Sequence, residues 1–228
     1  MKRIVILSGA GISKESGIST FRDHDGLWNK YRFEDLATPQ AWARNPQLVL
    51  DWYNMRRKQL FEVHPNEAHQ SLVRLEKEYD VQIITQNVDD LHERAGSSHV
   101  THLHGELKKA RSTANENLIY TLKDWELNLG DTCELGSQLR PHIVWFGESV
   151  PMIEAAIELT TTADIFLIIG TSLLIYPAAS LVNYVKPGTP IFLLDPEASS
   201  ISADNLTIVR QKASLAVPTI VDRLLEQV

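Results

Sequence analysis

Cysteine is almost absent from this chain, whose 228 residues include only Cys133. A single thiol excludes an intrachain disulfide and a zinc site built from several cysteines, and it indicates a reducing compartment. Long apolar runs are missing too. The run that follows Met1-Lys2-Arg3 ends at Leu7, too short for a signal-peptide core, and no stretch approaches the roughly 20 apolar residues of a membrane span. We therefore expect a cytoplasmic protein with no membrane partner.

An excess of positive charge is also lacking, because the formal net charge is −7. Binding to nucleic acid without sequence preference depends on Lys and Arg contacts to phosphates, so we expect no nucleic-acid partner. Hydrophobic residues make up 43% of the chain, as in globular proteins with a substantial core. The length suits one sizeable domain with a smaller insertion, and the expected state is a monomer.

Short apolar runs rich in β-branched residues recur along the chain and are predicted as strands. They cover residues 3–7, 81–85, 142–145, 164–169 and 190–194. Continuous apolar runs of this kind suit strands that are buried on both faces of a parallel sheet. Helical patterns fall between them, over 66–79, 151–162, 177–185 and 213–228. This alternation predicts an α/β fold with a doubly wound parallel sheet.

Two segments interrupt the alternation and are predicted to form a small lobe over the sheet. The first, 23–62, is rich in Trp, Tyr and Arg and has a helical pattern over 46–61. The second, 106–139, is polar and has no clear period. We expect it to be ordered by packing of Leu118, Ile119, Tyr120, Leu122, Trp125 and Leu127. The large lobe then comprises about 1–22, 63–105 and 140–228.

The first predicted strand runs into a glycine-rich turn, Ser8 to Gly17. Glycine lets the backbone turn tightly and approach a pyrophosphate, with the N–H groups of the following helix end facing the charge. A glycine-rich turn without a ligand fits the same pattern equally well. Lys14 occupies the place of the third glycine of the dehydrogenase fingerprint, and the aromatic stretch 28–33 lies where its acidic residue belongs. A hydride-transferring dehydrogenase is therefore a poor fit.

The stretch 9–22, GAGISKESGISTFR, resembles the signature of the sirtuin family. Four further stretches match that family in the right order, at 85–89, 102–105, 140–148 and 170–173. The resemblance spans nearly the whole chain. It implies a Rossmann-like large lobe, a small lobe, and a cleft that NAD and an acyl-lysine peptide enter from opposite sides. In that family the acyl oxygen attacks the nicotinamide ribose, nicotinamide leaves, and the acyl group passes to ADP-ribose.

The candidate catalytic residues follow two predicted strands. His104 follows the short strand 100–103, and the resemblance makes it the general base, a role that suits a side chain with a pKa near 6.5. A hydrogen-bonded core histidine is the alternative. Gln86, Asn87 and Asp89 follow the strand 81–85, where open α/β sheets bind ligands. The resemblance assigns them contacts to nicotinamide and ribose, and a catalytic part to Asn87; capping of a helix over 88–94 is the alternative for Asn87 or Asp89.

The resemblance also assigns further residues to NAD. They are Gly9, Ala10, Gly11, Ser13, Phe21, Arg22, Gly170, Thr171, Ser172, Asp195, Glu197 and Ala213. By this assignment Phe21 shields the reactive ribose carbon from water and Arg22 holds the cofactor loop. Asp195 stands where sirtuins usually have Asn. A carboxylate can accept from two ribose hydroxyls, and it disfavours the extra phosphate of NADP by like-charge repulsion.

The predicted substrate residues belong to two stretches. Val144, Phe146 and Gly147 should line the peptide cleft, where an extended substrate can pair as an added strand. Tyr53 and Arg56 form a Tyr-x-x-Arg pattern that resembles the sirtuins which remove succinyl and malonyl groups. Their spacing puts both on one helix face, and a guanidinium can hold a carboxylate by two parallel hydrogen bonds. A solvated basic face that continues into Arg57 and Lys58 is the alternative.

Most sirtuins carry four cysteines in the segment that matches 106–139, whereas this chain has only Cys133 there. Tetrahedral structural zinc needs four ligands, so we predict no bound metal. The expected function is an NAD-dependent protein-lysine deacylase, acting as a desuccinylase and demalonylase with some deacetylase activity and releasing nicotinamide and O-acyl-ADP-ribose. Its partners would be acyl-lysine proteins. The alternatives are a deacetylase, a mono-ADP-ribosyltransferase, or a non-catalytic module that binds NAD or ADP-ribose.

Overall fold

A computed structural model of the chain describes residues 1–19, 32–171, 173, 175–198 and 204–228. The described residues form strands β1 (Arg3–Ser8), β2 (Asp80–Thr85), β3 (Val100–His102), β4 (Gly105–Ser112), β5 (Ile119–Thr121), β6 (Leu139–Ile143), β7 (Ile165–Ile169), β8 (Ile191–Leu194) and β9 (Leu206–Val209). They also form helices α1 (Phe33–Leu36), α2 (Pro39–Arg44), α3 (Pro46–Glu62), α4 (Glu67–Leu75), α5 (Leu91–Ala95), α6 (Ile153–Thr161) and α7 (Ala213–Leu225).

Six strands form one parallel sheet in the order β3-β2-β1-β7-β8-β9. Numbered within the sheet, this is the order 3-2-1-4-5-6 of dinucleotide-binding folds. The sheet grows from β1 through β2 to β3 on one side and from β7 through β8 to β9 on the other, so the strand order reverses between β1 and β7. Ligands of open α/β sheets bind at such a switch point.

Apolar cores cover both faces of the parallel sheet. On one face, Ile4, Ile6 and Leu167 pack with residues of α4 and α7. On the other face, Val5 and Phe166 pack with residues of α6 and of the 3-10 stretch Ala178–Tyr184. Burial on both faces explains the continuous apolar runs of β1 and β7. The predicted Rossmann-like doubly wound fold is confirmed.

A three-stranded antiparallel sheet, β5-β4-β6, stands beside the parallel one. The run 142–145 was wrongly predicted as a strand of the parallel sheet, because β6 ends at Ile143 and pairs with β4. An apolar run marks burial but does not say which sheet a strand joins. The segment without a clear period contains most of this sheet, whose short strands face solvent in part.

Two predicted helices are 3-10 in form. The stretch predicted as a helix over 177–185 is the 3-10 stretch Ala178–Tyr184. The helix expected after the glycine-rich turn is a pair of short 3-10 turns, Ala10–Ile12 and Lys14–Ser16. Gly17 has φ +97 and ends the second turn. The idea that a helix end faces a phosphate at this point is therefore wrong, since no regular helix follows β1 directly.

Helices α3 and α4 have strong start signals. Asn45 caps α3 by accepting from the Leu48 N–H, with Pro46 in the first turn. Asn66 caps α4 and forms a capping box in which the His69 ring accepts from the Asn66 N–H at 3.3 Å. These caps fix where both helices begin.

The segment 106–139 is ordered partly by a small apolar cluster. Leu127, Cys133 and Leu139 are buried with Leu50 of α3 and Ala110 of β4. Leu118, Tyr120 and Leu122 pack against this cluster, as expected. Ile119 does not, because it is exposed on β5, and Trp125 is half-buried with Lys58 Nζ over its ring.

Polar contacts from α3 complete this ordering. The Arg57 guanidinium is fully buried, and it donates to the Leu107 carbonyl (2.5 Å), the Trp125 carbonyl (2.6 Å) and Asn54 Oδ1 (2.8 Å). Asn54 pairs with both the N–H and the carbonyl of Leu127, each at 3.0 Å. Of the basic residues after Arg56, Arg57 is therefore buried, whereas Lys58 is exposed. None of the helices in the described part of the chain has the length and apolar character that crossing a bilayer requires.

Candidate active site

One cavity of about 960 Å³ lies at the switch point of the parallel sheet and extends to α3 and to the loop after β6. This volume is at the upper end of what cofactor and ligand sites occupy. The predicted site residues that line it are Gly9, Ala10, Gly11, Tyr53, Arg56, Gln86, Asn87, Asp89, His104, Val144, Phe146, Gly147, Gly170, Thr171, Asp195, Glu197 and Ala213. Ser13 is buried and is not part of the lining. Phe21, Arg22 and Ser172 lie outside the described residues.

The loops after β1 and β7 touch one another, and this contact explains their glycines. The Gly11 N–H donates to the Gly170 carbonyl at 2.9 Å. A Cβ on Gly11 would lie 2.6 Å from Gly170 Cα, and a Cβ on Gly170 would lie 2.4 Å from Ile12 N. Real Cβ atoms do not approach so closely. The glycines thus permit contact between two protein loops, in addition to any ligand they face.

His104 is held in one tautomer. Its Nδ1 lies 3.0 Å from the Gln86 carbonyl, and a carbonyl can only accept, so we assign the ring proton to Nδ1. Nε2 is then unprotonated and can accept a proton. Burial lowers the pKa of His104, which favours the neutral ring at pH 7. The ring lines the cavity, so it is not a core histidine.

Asn87 ties the loop after β2 to the loop after β1. Its Nδ2 donates to the Gly9 carbonyl at 3.2 Å and to Ser13 Oγ at 3.1 Å. Its own N–H donates to Thr85 Oγ1 at 3.0 Å. The side chain is buried at the edge of the cavity. No helix capping by Asn87 is seen, because its amide is used between loops.

Asp89 binds the start of α5 and also the loop after β1. Oδ1 accepts from the Leu91 N–H at the start of α5, and Oδ2 accepts from Ser13 Oγ at 3.0 Å. Burial raises the pKa of Asp89, and these hydrogen bonds oppose that rise. Ser13 thus accepts from Asn87 and donates to Asp89. The structure places Ser13 behind the cavity wall, as the link between two lining residues.

The other end of the cavity lies over β7, β8 and the start of α7. Gln86 Nε2 donates to Thr171 Oγ1 at 3.1 Å, which joins the loops after β2 and β7. Asp195 follows β8, and its Oδ1 accepts from the Glu197 N–H at 2.7 Å. Ala213 opens α7 beside them. Carboxylates, amides and small residues thus follow β2, β7 and β8 at the same edge of the sheet.

Tyr53 and Arg56 approach the cavity from α3. Tyr53 is only 2% exposed, and its Oη accepts from Trp145 Nε1 at 3.1 Å. Burial raises the pKa of Tyr53, which keeps the hydroxyl protonated. Burial lowers the pKa of Arg56, and interactions with Tyr53 and Asp89 oppose that change. The pair lines the same cavity as His104.

The stretch after β6 forms the opposite wall. Val144 donates its N–H to the His104 carbonyl at 3.0 Å, and the exposed Phe146 donates its own to the Ala37 carbonyl at 2.9 Å. Glu148 braces this stretch by accepting from the Trp145 N–H and from Arg140, at 2.8 and 2.7 Å. Gly147 has φ +91, a conformation that suits glycine.

Several lining residues were not singled out from the sequence. They are Ile18, Ser19, Ala37, Val88, Leu107, Ile143, Val150, Ile175, Tyr176, Pro177, Leu194, Pro196, Lys212 and also Lys14 and Glu15 of the opening motif. Tyr176 is 73% exposed, lines the cavity, and comes shortly after the matched stretch 170–173. Lys14 was noted only as a departure from the dehydrogenase fingerprint. For Lys14 and Glu15, the position within the opening motif could have indicated a place in the cavity lining, whereas residue type alone could not.

The model of the Sir2 family matches residues 9–177 of this chain. This chain belongs to the Sir2 family. A protein of Helicobacter pylori named NAD-dependent protein deacylase is 54% identical over 229 residues, which cover 99% of each chain. A protein of the same name from Bacteroides thetaiotaomicron is 53% identical and covers 95% of each chain. A solved complex of a Sir2 homologue with NAD is 41% identical, with a TM-score of 0.90, covering 99% of this chain and 90% of that one.

Among the residues that the structure describes, no group of three or more His, Cys, Asp or Glu side chains is placed to hold a metal ion. Cys133 lies 3.2 Å from Ser112 Oγ in the apolar cluster. For this Sir2-family chain, the absence of structural zinc stays a prediction.

Proposed function

We propose that this protein is an NAD-dependent protein-lysine deacylase that prefers acyl groups ending in a carboxylate, such as succinyl and malonyl. The deacylase activity rests on membership of the Sir2 family and on relatives that carry this name. The preference rests on one observation, which is that Tyr53 and Arg56 line the same cavity as His104.

The residues of the cavity fit NAD. The switch point of the sheet is the ordinary place for a dinucleotide, and the cavity is large enough for one. Asp195 at one end and Asp89 at the other supply acceptors for ribose hydroxyls. Gln86 and Asn87 supply amides toward the nicotinamide end. Bound NAD would supply the ribose carbon that receives the acyl oxygen, with nicotinamide as the leaving group.

His104 would act as the general base in this site. The Gln86 carbonyl holds Nδ1–H, which leaves Nε2 to take a proton from a ribose hydroxyl. Because burial lowers the pKa of His104, the base is present in its neutral form at neutral pH.

Tyr53 and Arg56 would hold the acyl carboxylate. Trp145 Nε1–H already donates to Tyr53 Oη, so the tyrosine proton is left to donate elsewhere. The guanidinium of Arg56 can donate two parallel bonds to a carboxylate. A charge-assisted contact of this kind contributes about 1.5–3 kcal/mol, or roughly 10- to 150-fold in preference over an acetyl group.

The test is mass spectrometry of acetyl-, malonyl- and succinyl-lysine peptides incubated with the protein and NAD. We expect O-acyl-ADP-ribose and nicotinamide from all three, with the highest kcat/KM for an acidic acyl group. Arg56→Met should lower desuccinylation by about 10-fold or more while sparing deacetylation. Lys58→Met, on the same helix and exposed, is the matched control.

His104→Ala should remove turnover of every peptide while the protein remains folded. Equal losses on acetyl and succinyl peptides in Arg56→Met would contradict the acyl preference. NAD binding without turnover of any peptide would instead favour a non-catalytic sensing module.

A further inference from the structure

Two histidines of the stretch His102-Leu103-His104 hold two consecutive carbonyls of the loop after β2. Alternate residues of an extended chain point to the same side. Accordingly His104 Nδ1 lies 3.0 Å from the Gln86 carbonyl, and His102 Nδ1 lies 3.0 Å from the Asn87 carbonyl. His102 ends β3, pairs with Thr85 of β2, and does not line the cavity.

The two rings differ in protonation. His102 Nε2 lies 2.7 Å from Glu93 Oε1, while His104 has a carbonyl on one nitrogen and the cavity beyond the other. A carbonyl and a carboxylate can only accept, so both nitrogens of His102 must donate. His102 is therefore an imidazolium, and its side chain is 8% exposed. Glu93 raises the pKa of His102 against the effect of burial.

We propose that His102, held as an imidazolium by Glu93, is a positioning residue for Asn87, and that loss of its proton sets the alkaline limit of the reaction. The activity part of this proposal rests on the proposed deacylase function. The positioning part does not, because it concerns the shape of the Asn87 loop in the protein itself.

In the loop after β2, the Asn87 carbonyl is the group whose hydrogen bond depends on the protonation of His102. The neighbouring backbone groups are held by contacts that do not titrate. The Gln86 N–H donates to the Ser8 carbonyl, and the Val88 carbonyl accepts from the Leu107 N–H. The Asn87 N–H donates to Thr85 Oγ1. A neutral His102 keeps one N–H, so either the Asn87 carbonyl or Glu93 would face a ring lone pair. Repulsion at the first position would move the backbone of Asn87, whose amide holds Gly9 and Ser13.

The charges around His102 favour its proton. Glu93 and His92 face it from α5, Asp89 from the loop before α5, and Glu106 from β4. Burial lowers the pKa of His92 well below its usual range, so that ring adds no charge. Lys109 interacts with Glu93, and it is paired with Glu106 at 2.6 Å. Three carboxylates thus face one imidazolium.

The first test is direct titration of the histidine rings by NMR in the intact protein without substrate. Signals are assigned with His102→Asn and His104→Ala. We expect the His102 ring to titrate above the usual range and the His104 ring below it. Glu93→Gln should lower the pKa of His102, because it removes the carboxylate that favours the charged ring, and should leave that of His104 unchanged.

The second test is the pH profile of kcat/KM for NAD with a succinyl-lysine peptide. Activity should rise as His104 loses its proton and fall at higher pH as His102 loses its own. Glu93→Gln should move only the alkaline limb to lower pH, by the same shift that NMR reports. Glu158→Gln removes one exposed carboxylate of α6 and should move neither limb.

Substitutions at residue 102 separate positioning from simple packing. In His102→Asn the amide can still donate to the Asn87 carbonyl, so activity near neutrality should persist while the alkaline fall disappears. His102→Ala should lower kcat/KM for NAD by about 10-fold, the value of one charge-assisted hydrogen bond.

A neutral His102 in the NMR titration, or an alkaline limb that Glu93→Gln does not move, would overturn the proposal. If no peptide is turned over, the deacylase function fails separately. The ring titration and the pH dependence of NAD affinity by calorimetry, compared between the wild type and Glu93→Gln, then decide the role of His102 alone.

Discussion

The end of the cavity beside Tyr53 and Arg56, where we propose that the acyl group binds, depends on how single side chains are oriented. Tyr53 Oη accepts from Trp145 Nε1, and the Arg140 guanidinium lies over the Trp145 ring, 3.3 Å from its centroid. Trp145 is therefore held by two contacts, and its N–H orients the Tyr53 hydroxyl. Residues 53 and 145 are far apart in the sequence, which is why the sequence alone did not predict this contact.

Trp145→Phe should weaken the proposed preference for acidic acyl groups. The ring would still fill its place, but the Tyr53 hydroxyl would lose the donor that orients it. We expect kcat/KM for a succinyl peptide to fall by roughly 5-fold, consistent with about 1 kcal/mol for one hydrogen bond, with little change for an acetyl peptide. Trp42→Phe is the control, because that ring packs on Trp145 without bonding to Tyr53. Equal changes on both peptides would speak against an orienting role.

The candidate site was predicted from the sequence mainly by position. Residues that follow strands, such as Gln86, Asn87 and Asp195, were expected at one edge of the sheet, and they line one cavity. Ser13 and His102 were harder to interpret, because their roles depend on partners that only the fold brings near. Their side chains act on other residues of the site.

Among the elements, α3 has the strongest influence on the small sheet. Its Arg57 donates to the carbonyls of Leu107 and Trp125, two separate points of the segment 106–139. Its Asn54 pairs with Leu127 in the manner of a neighbouring strand. These contacts hold the segment 106–139 against α3 through backbone carbonyls and a side-chain amide. They give a physical basis for order in a segment that contains a single cysteine.

Arg57→Met should destabilise the protein by about 3 kcal/mol, because it leaves the Leu107 and Trp125 carbonyls without this donor. Lys58→Met, whose cation lies over Trp125, should cost less than about 1 kcal/mol. Urea unfolding measures both. Amide exchange at Trp125 and Leu127 should increase only in Arg57→Met.

A chelator should change neither the unfolding midpoint of the protein nor the amide exchange of this segment. Stoichiometric zinc in the purified protein would contradict the prediction that no metal is bound.

The start of α4 contains a titratable cap. Burial lowers the pKa of His69 to about 4, from about 6.5 in the unfolded chain. The unfolded state therefore binds more protons between these values, so stability should fall as pH falls through this window. Between pH 7 and pH 5 the expected loss from this residue is about 2 kcal/mol.

His69→Gln should reduce that acid sensitivity. Glutamine at this position completes an ordinary capping box with Asn66 and does not titrate. Urea unfolding at pH 7 and pH 5 should show a smaller loss in the variant than in the wild type. Equal losses would mean that other groups, such as the buried His92, account for the acid sensitivity.

Secondary structure was predicted best where burial is complete. Strands β1, β2, β7 and β8 were predicted to within a residue or two at their ends. The edge strand β9 was missed, because it is only partly buried and lacks a strong apolar run. In the small sheet, β4 and β5 were missed because the segment 106–139 is polar and has no clear period, and only the end of β6 was predicted.

At the scale of the whole molecule, the contact between the loops after β1 and β7 holds the two halves of the parallel sheet in register. Gly170 has φ +60, and a Cβ there would meet Ile12 N at 2.4 Å. The fold class followed from the sequence because strand and helix alternate. The closeness of this contact did not, because glycine in a turn has several possible causes.

Gly170→Ala should destabilise the protein by about 3 kcal/mol or more and weaken NAD binding, since both loops must move apart. Gly136→Ala is a matched control, because Gly136 has φ +72 but no atom within 4 Å of a built Cβ. It should cost only the left-handed backbone penalty, about 1 kcal/mol. Similar losses of stability in the two variants, by urea unfolding, would show that backbone conformation and not loop contact makes glycine necessary.

The helix α3 also has a practical consequence for engineering. Two adjacent faces of α3 have separate roles. Tyr53 and Arg56 line the cavity, whereas Asn54 and Arg57 bind the segment 106–139. Changing the proposed acyl preference toward larger or neutral groups therefore calls for variation at positions 53 and 56, with 54 and 57 kept constant. Libraries built in this way should yield mostly folded clones, whereas replacing the whole of α3 would remove the contacts of Asn54 and Arg57.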